Sequence, residues 1–266
     1  MSVFPAFNRR KQCRHGFLLY NSHDEFVGRS LDYYGEFSEG EVALFEKLVK
    51  PGQVVVEVGS NIGCHTVVLA HLVGPTGAVH AFEPQRIVFQ TLCANLSLNS
   101  ITNVFAYQVA IGKTAGKVVV PVPDYCQDGN FGAVELGRHT VGETASMHTI
   151  DSLNLTGIHF LKIDVEGMEQ EVLEGAVQTI SNHAPVLYVE NDRPAKSDAL
   201  LRFIAGLGYR IFQHTPPLFN PCNYNNYPVN VFGQIHSLNL LCLPKHIQLP
   251  TGDLRPARVP TGEARS

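Results

Sequence analysis

A chain of 266 residues with 44% hydrophobic side chains can bury one full core and carry a short appended segment. Its formal net charge of −4 removes the electrostatic reason to bind nucleic acid, and no apolar run approaches the ~20 residues of a bilayer crossing. Six scattered cysteines form no C-x-x-C pair, so no zinc site or disulfide framework is expected and a reducing, cytoplasmic setting is.

Residues 1–33 are weakly patterned and are expected to form an N-terminal extension. Residues 17–20 have the composition of a short strand and 21–24 that of a turn. Arg9, Arg10, Lys11 and Arg14 are followed by no apolar stretch, which predicts a solvated basic face rather than a secretory leader. Ser38 with Glu41 three residues on predicts a capping box, opening a helix that Pro51-Gly52 closes. The run Val54-Val55-Val56 then predicts a buried strand. A glycine-rich turn follows. Ile62, Thr66, Leu69 and Val73 give a helical spacing that ends at Gly74-Pro75.

This strand–turn–helix unit organises the chain. A dinucleotide site carries G-x-G-x-x-G. Here the turn is Gly59-Ser60-Asn61-Ile62-Gly63, with Asn61 where the second glycine belongs and Glu57 two residues before the first. A carboxylate there repels pyrophosphate and suits a cationic ligand, so a sulfonium cofactor with an amino-acid tail fits better than NAD. The next strand, 78–82, ends in Glu83-Pro84. Glu83 lies about 20 residues past Gly63, where such a unit places an acid on the ribose hydroxyls.

A helix over 86–98 and a strand over 104–109 follow, the latter closed by Ala110-Ile111-Gly112. Residues 113–157 break the strand–helix alternation and predict an antiparallel insertion, with strands near 117–122 and 145–150. Asp128, Asn130 and Phe131 at its tip are candidates to meet a substrate. The fourth sheet strand, 158–163, ends in Asp164-Val165-Glu166-Gly167 before a helix running from Met168 past Ala176. Two acids at that tip can position a substrate, act as general base or bind a cation; Asp164 is also spaced to cap the helix. No histidine stands at ligand spacing to them, and no metal is expected. A fifth strand, 186–189, leads to Glu190 and Asn191. A helix over 196–207 and a sixth strand, 209–213, come next. The Pro/Asn/Tyr-rich stretch 215–233 is long enough to act as a substrate lid. A seventh strand covers 238–243, and residues 245–266 are expected to be a disordered tail.

The segments EVGSNIG (57–63), AFEP (81–84) and LKIDVEGMEQEVLEGA (161–176) together resemble the FkbM family of S-adenosylmethionine-dependent methyltransferases, over residues 34–244. The resemblance implies an α/β, Rossmann-like class I methyltransferase fold: a seven-stranded, mostly parallel sheet with helices on both faces and an antiparallel last strand. It implies S-adenosyl-L-methionine as cofactor, held by Glu57, Gly59, Ser60, Asn61, Gly63, Glu83, Pro84 and Asp164. Val109 and Ala110 would lie along the adenine, and Tyr34, Glu36 and Ser38 would help close the pocket. It further implies O-methylation of a hydroxyl on a sugar or natural-product-type acceptor, with a small molecule or glycan as partner. Asp164, Glu166 and His65 are the catalytic candidates, and Glu190, Asn191, His214 and Asn239 the substrate-binding ones. N-methylation and an inactive binding domain of the same fold stay open at this stage. Nucleic-acid amino-methyltransferases carry a (D/N/S)-P-P-(Y/F) motif after the fourth strand; Asp164-Val165-Glu166-Gly167 does not match it.

Overall fold

The β-branched run after Gln53 forms the middle of a large sheet in the computed structural model, which describes residues 6–248, 252 and 254–260. In chain order the elements are β1 (Asn8–Cys13), β2 (Gly16–Asn21), α1 (Val27–Tyr34), α2 (Glu39–Leu48), β3 (Val54–Val58), α3 (Cys64–Val73), β4 (Ala78–Phe82), α4 (Arg86–Leu98) and β5 (Val104–Tyr107). There follow β6 (Ala110–Ile111), β7 (Gly116–Val120), β8 (Glu143–His148), β9 (Ile158–Ile163), α5 (Glu169–Glu174), α6 (Val177–His183), β10 (Val186–Glu190) and α7 (Pro194–Gly206). The last are β11 (Tyr209–His214), β12 (Asn239–Pro244) and β13 (Arg255–Pro256).

The main sheet has the order β13-β11-β12-β10-β9-β3-β4-β5. Neighbours from β5 to β10 pair in parallel, while β12 runs antiparallel to both β10 and β11. The chain builds outward from β3 to β5, then crosses back to β9, so β3 and β9 flank the topological switch point. This is the class I methyltransferase order expected from the sequence, with one addition. The tail expected to be disordered contributes β13, which pairs antiparallel with Phe212 and Gln213. The rest of that expectation falls partly on 249–251, 253 and 261–266, outside the described residues.

Period-two alternation sends side chains to both faces of the central strands. Val56, Val58, Leu161, Ile163 and Leu187 pack against Val172, Ile180, Leu200 and Ile204 of α5, α6 and α7. Val55, Val79, Phe160 and Tyr188 pack on the other side against Phe45, Leu69 and Val73 of α2 and α3. Among the described residues no helix is long and apolar enough to cross a membrane, and all six cysteines are unpaired.

Three regions depart from the sequence expectation. The N-terminal extension forms a complete hairpin, β1–β2, plus a helix, α1. Its basic residues are partly consumed in docking that helix: Arg9 Nη1 lies 2.6 Å from Asp32 Oδ2, and Lys11 Nζ donates to the Asp32 carbonyl at 2.6 Å. The third strand stops at Tyr107; Ala110–Ile111 leaves the main sheet and joins β8 and β7 in a separate three-stranded sheet. The helix after Asp164 is broken at Gly175 into α5 and α6, where a Cβ would sit 2.2 Å from the Gly112 carbonyl.

Candidate functional site

The turn after β3 is forced close to β9. Gly59 has φ +82°, and a Cβ there would lie 1.7 Å from the Asp164 carbonyl oxygen, so only glycine fits. The Asp164 amide donates to the Val58 carbonyl at 3.0 Å, and the Gly59 and Ser60 amides both reach the Phe82 carbonyl at 3.0 Å. Asn61 takes φ +49°, a left-handed conformation that asparagine tolerates, and Gly63 takes φ +89° at the start of α3. The strand tips of β3, β4 and β9 are thus pinned around one opening. A cavity of about 480 Å³ lies there, walled by Glu57, Gly59 to Ile62, Glu83, Lys162, Asp164, Glu166 and Glu190, among others.

Each acid has its own environment. Glu83, on the end of β4, accepts the Asn61 amide at 3.0 Å and the Gln85 amide at 2.8 Å. Burial pushes its carboxyl up to about 7 against those two bonds. Glu57 is fully buried; its Oε2 accepts Thr66 Oγ1 at 2.6 Å, while Oε1 has no hydrogen-bond partner. Burial raises it to about 6, with Lys162 pulling the other way. Asp164 stays half-exposed, with Oδ2 accepting Lys162 Nζ at 2.9 Å.

A second group of acids gathers beside Asp164. Carboxylate oxygens of Glu166, Glu190 and Asp192 lie within 4.8 Å of one another. Arg193 answers two of them: Nη2 donates to Glu166 Oε2 at 2.5 Å, and Nη1 donates to Asp192 Oδ2. Burial and then Asp164 push Glu166 up to about 7. Burial, followed by Asp164 and Glu166, holds Glu190 well above the usual carboxylate range, and its Oε2 has no partner. Glu166 also sits at φ +56°, a conformation non-glycine residues take only under constraint. His65, 6% exposed, packs against the edge of Phe45 and leaves Nε2 unpartnered; burial and Lys162 push it down to about 3. Its imidazole is therefore neutral.

The expected site residues divide. Glu57, Gly59, Ser60, Asn61, His65, Glu83, Asp164, Glu166, Glu190 and Asn239 line the cavity; Gly63 supplies the turn behind it. Tyr34, Glu36 and Ser38 do not line it. Tyr34 OH donates to the Val229 carbonyl and accepts the Val231 amide, and Glu36 accepts Asn220 Nδ2 and the Tyr224 amide. They fasten residues 219–232 to α1. Ser38 makes no backbone cap: its Oγ donates to Glu41 Oε1 at 2.6 Å, and the pair leaves Glu41 on the cavity wall. Pro84, Val109 and Ala110 are also off the cavity; Ala110 is buried in register with Met147 because the strand ends early. His214 bonds Tyr188 OH at 2.8 Å, and Asn191 Nδ2 donates to Ser197 Oγ, both away from the opening. Asp164 caps nothing, since Glu169 Oε1 takes the Val165 and Gly167 amides instead.

Of the insertion, Asn130, Gly132 and Ala133 reach the cavity, while Asp128 pairs with His23 and the Phe131 carbonyl accepts Gln85 Nε2. Of the expected lid, Leu218 lines the opening, joined by Ile235 to Leu238 just beyond its predicted end. Sequence reasoning missed Lys162, Arg193 and the cavity role of Glu41. A lysine inside the otherwise apolar run 160–163, two residues before an acid, was the one available signal for Lys162.

Comparison with known proteins agrees with this architecture. Residues 57–211 match the family described as the methyltransferase FkbM domain. Among curated relatives, the chain is 26% identical over 143 residues to methyltransferase 1 of Beauveria bassiana, covering 46% of this chain and 57% of that one. It is 26% identical over 204 residues to the 31-O-demethyl-FK506 methyltransferase FkbM of Streptomyces tacrolimicus, covering 64% and 78%. It is 25% identical over 158 residues to the hexuronic acid methyltransferase AglP of Haloferax volcanii, covering 59% and 63%. The matched stretch thus spans less than two thirds of two of these three relatives. With the family match covering more than half of the chain, this protein belongs to the FkbM family of S-adenosylmethionine-dependent methyltransferases.

Proposed function

We propose that the chain methylates a hydroxyl on a sugar or small natural-product-type acceptor. The observation that carries this reading is the convergence of Glu57, Glu83 and Asp164, from three adjacent strand ends, on one cavity with Glu166 at its side. These residues suit the cofactor. Glu83 would take the ribose hydroxyls, the 59–63 backbone would wall the pocket, and Glu57 with Asp164 would face the cationic amino-acid and sulfonium end. The buried, unpartnered Glu57 Oε1 favours an occupied cavity. When bound, the cofactor supplies a methyl group on a cationic sulfur.

What the chain must add is placement of the acceptor and removal of its proton. Glu166 suits the second task. Its carboxyl, raised to about 7, is a stronger base than an ordinary glutamate and is still largely ionised just above neutrality. Arg193 holds it in place. Glu190, whose carboxyl is held well above its usual range by burial and then by Asp164 and Glu166, stands on the same wall, and Asn239 beside it in the ladder offers an acceptor oxygen both an acceptor and a donor. His65, as a neutral and weakly basic imidazole, serves as a hydrogen-bonding wall rather than the base. The names of two relatives, one an O-demethyl natural-product methyltransferase and one a hexuronic acid methyltransferase, support an oxygen acceptor.

The test is incubation with methyl-labelled S-adenosylmethionine and a panel of sugars, sugar acids, macrolide alcohols and amines. Label on an acceptor oxygen, lost in Glu166→Gln, is the expected result. Label on nitrogen, or no transfer to any acceptor, would contradict it.

A further inference from the structure

Strand alternation places Phe160 and Lys162 on the face of β9 that packs under α2 and α3. Phe160 belongs in that layer. An ammonium does not, because a buried lysine without partners gives up its proton. The register sets Lys162 between Glu57 on β3 and Tyr188 on β10. Its side chain is 2% exposed, with Nζ 2.9 Å from Asp164 Oδ2 and 4.0 Å from Glu57 Oε1. Groups face it from every packed element: Glu41 from α2, Glu57 from β3, His65 from α3, Asp164 from the end of β9 and Tyr188 from β10. Burial opposes the charge on Lys162, but Asp164, Glu57 and Glu41 together hold the ammonium above its ordinary range. Three donors project from Nζ, and among the described residues only the bond to Asp164 is within hydrogen-bond distance.

We infer that Lys162 is the positioning residue of the cavity floor: anchored by Asp164, it keeps the Glu57 carboxylate ionised, so that the cavity offers charged oxygens to a cationic ligand at neutral pH. The inference rests on the reading that the amino-acid end of S-adenosylmethionine lies at this floor. Glu57 has Thr66 and Ser60 as its neutral hydrogen-bonding neighbours, and Lys162 is the cation beside it. Removing that cation leaves burial to act with less opposition, so Glu57 would hold its proton to higher pH. A rise of one unit would carry its titration from near 6 to neutrality.

The experiment is calorimetric binding of S-adenosylhomocysteine between pH 5.5 and 9 to wild type, Lys162→Met and Lys162→Arg. The quantity read is the ratio of Kd in the variant to Kd in wild type. For Lys162→Met this ratio should be largest at the acid end, roughly eightfold at pH 5.5 for a rise of one pKa unit at Glu57, fall to about twofold near pH 7 and vanish toward pH 9. Lys162→Arg should stay within about threefold of wild type throughout, since the charge remains. Glu83 titrates near 7 in both proteins, and the ratio cancels it. A ratio constant across pH would make Lys162 a structural filler and overturn the inference. If Lys162→Met does not fold, Glu57→Gln decides by the same ratio: its Kd relative to wild type should be large at pH 8 to 9 and shrink below about pH 6, and a ratio constant across pH overturns the inference. Binding by wild type with a flat ratio removes the inference alone; no binding by wild type at any pH removes the functional reading with it.

Discussion

The two halves of the cavity are built differently. The half formed by Glu57, the 59–63 turn and Glu83 comes from one continuous stretch, β3 to the end of β4, and its acids are held by backbone amides and a threonine. The half formed by Glu166, Glu190, Arg193 and Asn239 is drawn from the ends of β9 and β10, the start of α7 and the start of β12, with Ile235 to Leu238 beside it. Its acids are held by one arginine and by each other. A cofactor shared by a whole family can be met by a fixed local unit. On the proposed function, the second half would meet the acceptor with side chains on separate segments, each free to change.

That contrast can be broken at several points. The largest effect is expected at Gly59→Ala. With φ +82° and a backbone oxygen 1.7 Å from the new Cβ, the strand tips must part, at a cost of ~4 kcal/mol or more. Chemical denaturation should show it; a variant as stable as wild type would mean the turn is not pinned. Glu166→Gln should lower kcat by roughly 10²- to 10⁴-fold, the range of a general base, and leave the Kd of S-adenosylhomocysteine unchanged. The same assignment fixes a pH profile: the ionised form is the base, so kcat/KM in wild type should rise with pH through about 7 and flatten above it. A profile flat from pH 6 to 8 would point away from Glu166. Glu83→Ala should weaken S-adenosylmethionine by roughly 10- to 150-fold, the equivalent of ~1.5–3 kcal/mol of charge-assisted bonding. The smallest effect is expected at Tyr34→Phe, which removes one hydroxyl bridging Val229 and Val231. It should cost about 1–2 kcal/mol of stability and raise acceptor KM without touching cofactor affinity. A change in cofactor affinity instead would return Tyr34 to the pocket wall.

The same contrast explains what could be read in the sequence. Glu57, Gly59, Asn61 and Glu83 were legible because a strand, a tight turn and the next strand tip fix their relation within 27 residues of chain, and the physical demands of each show in the residue type. The alternation of strands and helices from β3 to β12 was legible for the same reason. Tyr34 and Glu36 lie off the cavity because residues 219–232 fold back onto them and take their hydrogen bonds, and Ser38 because its hydroxyl is taken by Glu41 and Ser237; nothing local in the sequence reveals the long-range partners. Ala110 was misplaced because the strand before it stops two residues early, which residue type does not disclose. Arg193 and Lys162 were missed because their roles exist only once β3, β9 and β10 lie side by side. The tail strand β13 carries two residues of Pro- and Arg-rich sequence that have no strand signature of their own.

The most direct measurement is calorimetric binding of S-adenosylmethionine and S-adenosylhomocysteine to wild type and to Glu83→Ala. The account predicts that wild type binds both ligands and that the variant binds each at least about tenfold more weakly. Binding that is the same in the two proteins would take Glu83 out of the pocket and contradict the assignment of this cavity to the cofactor.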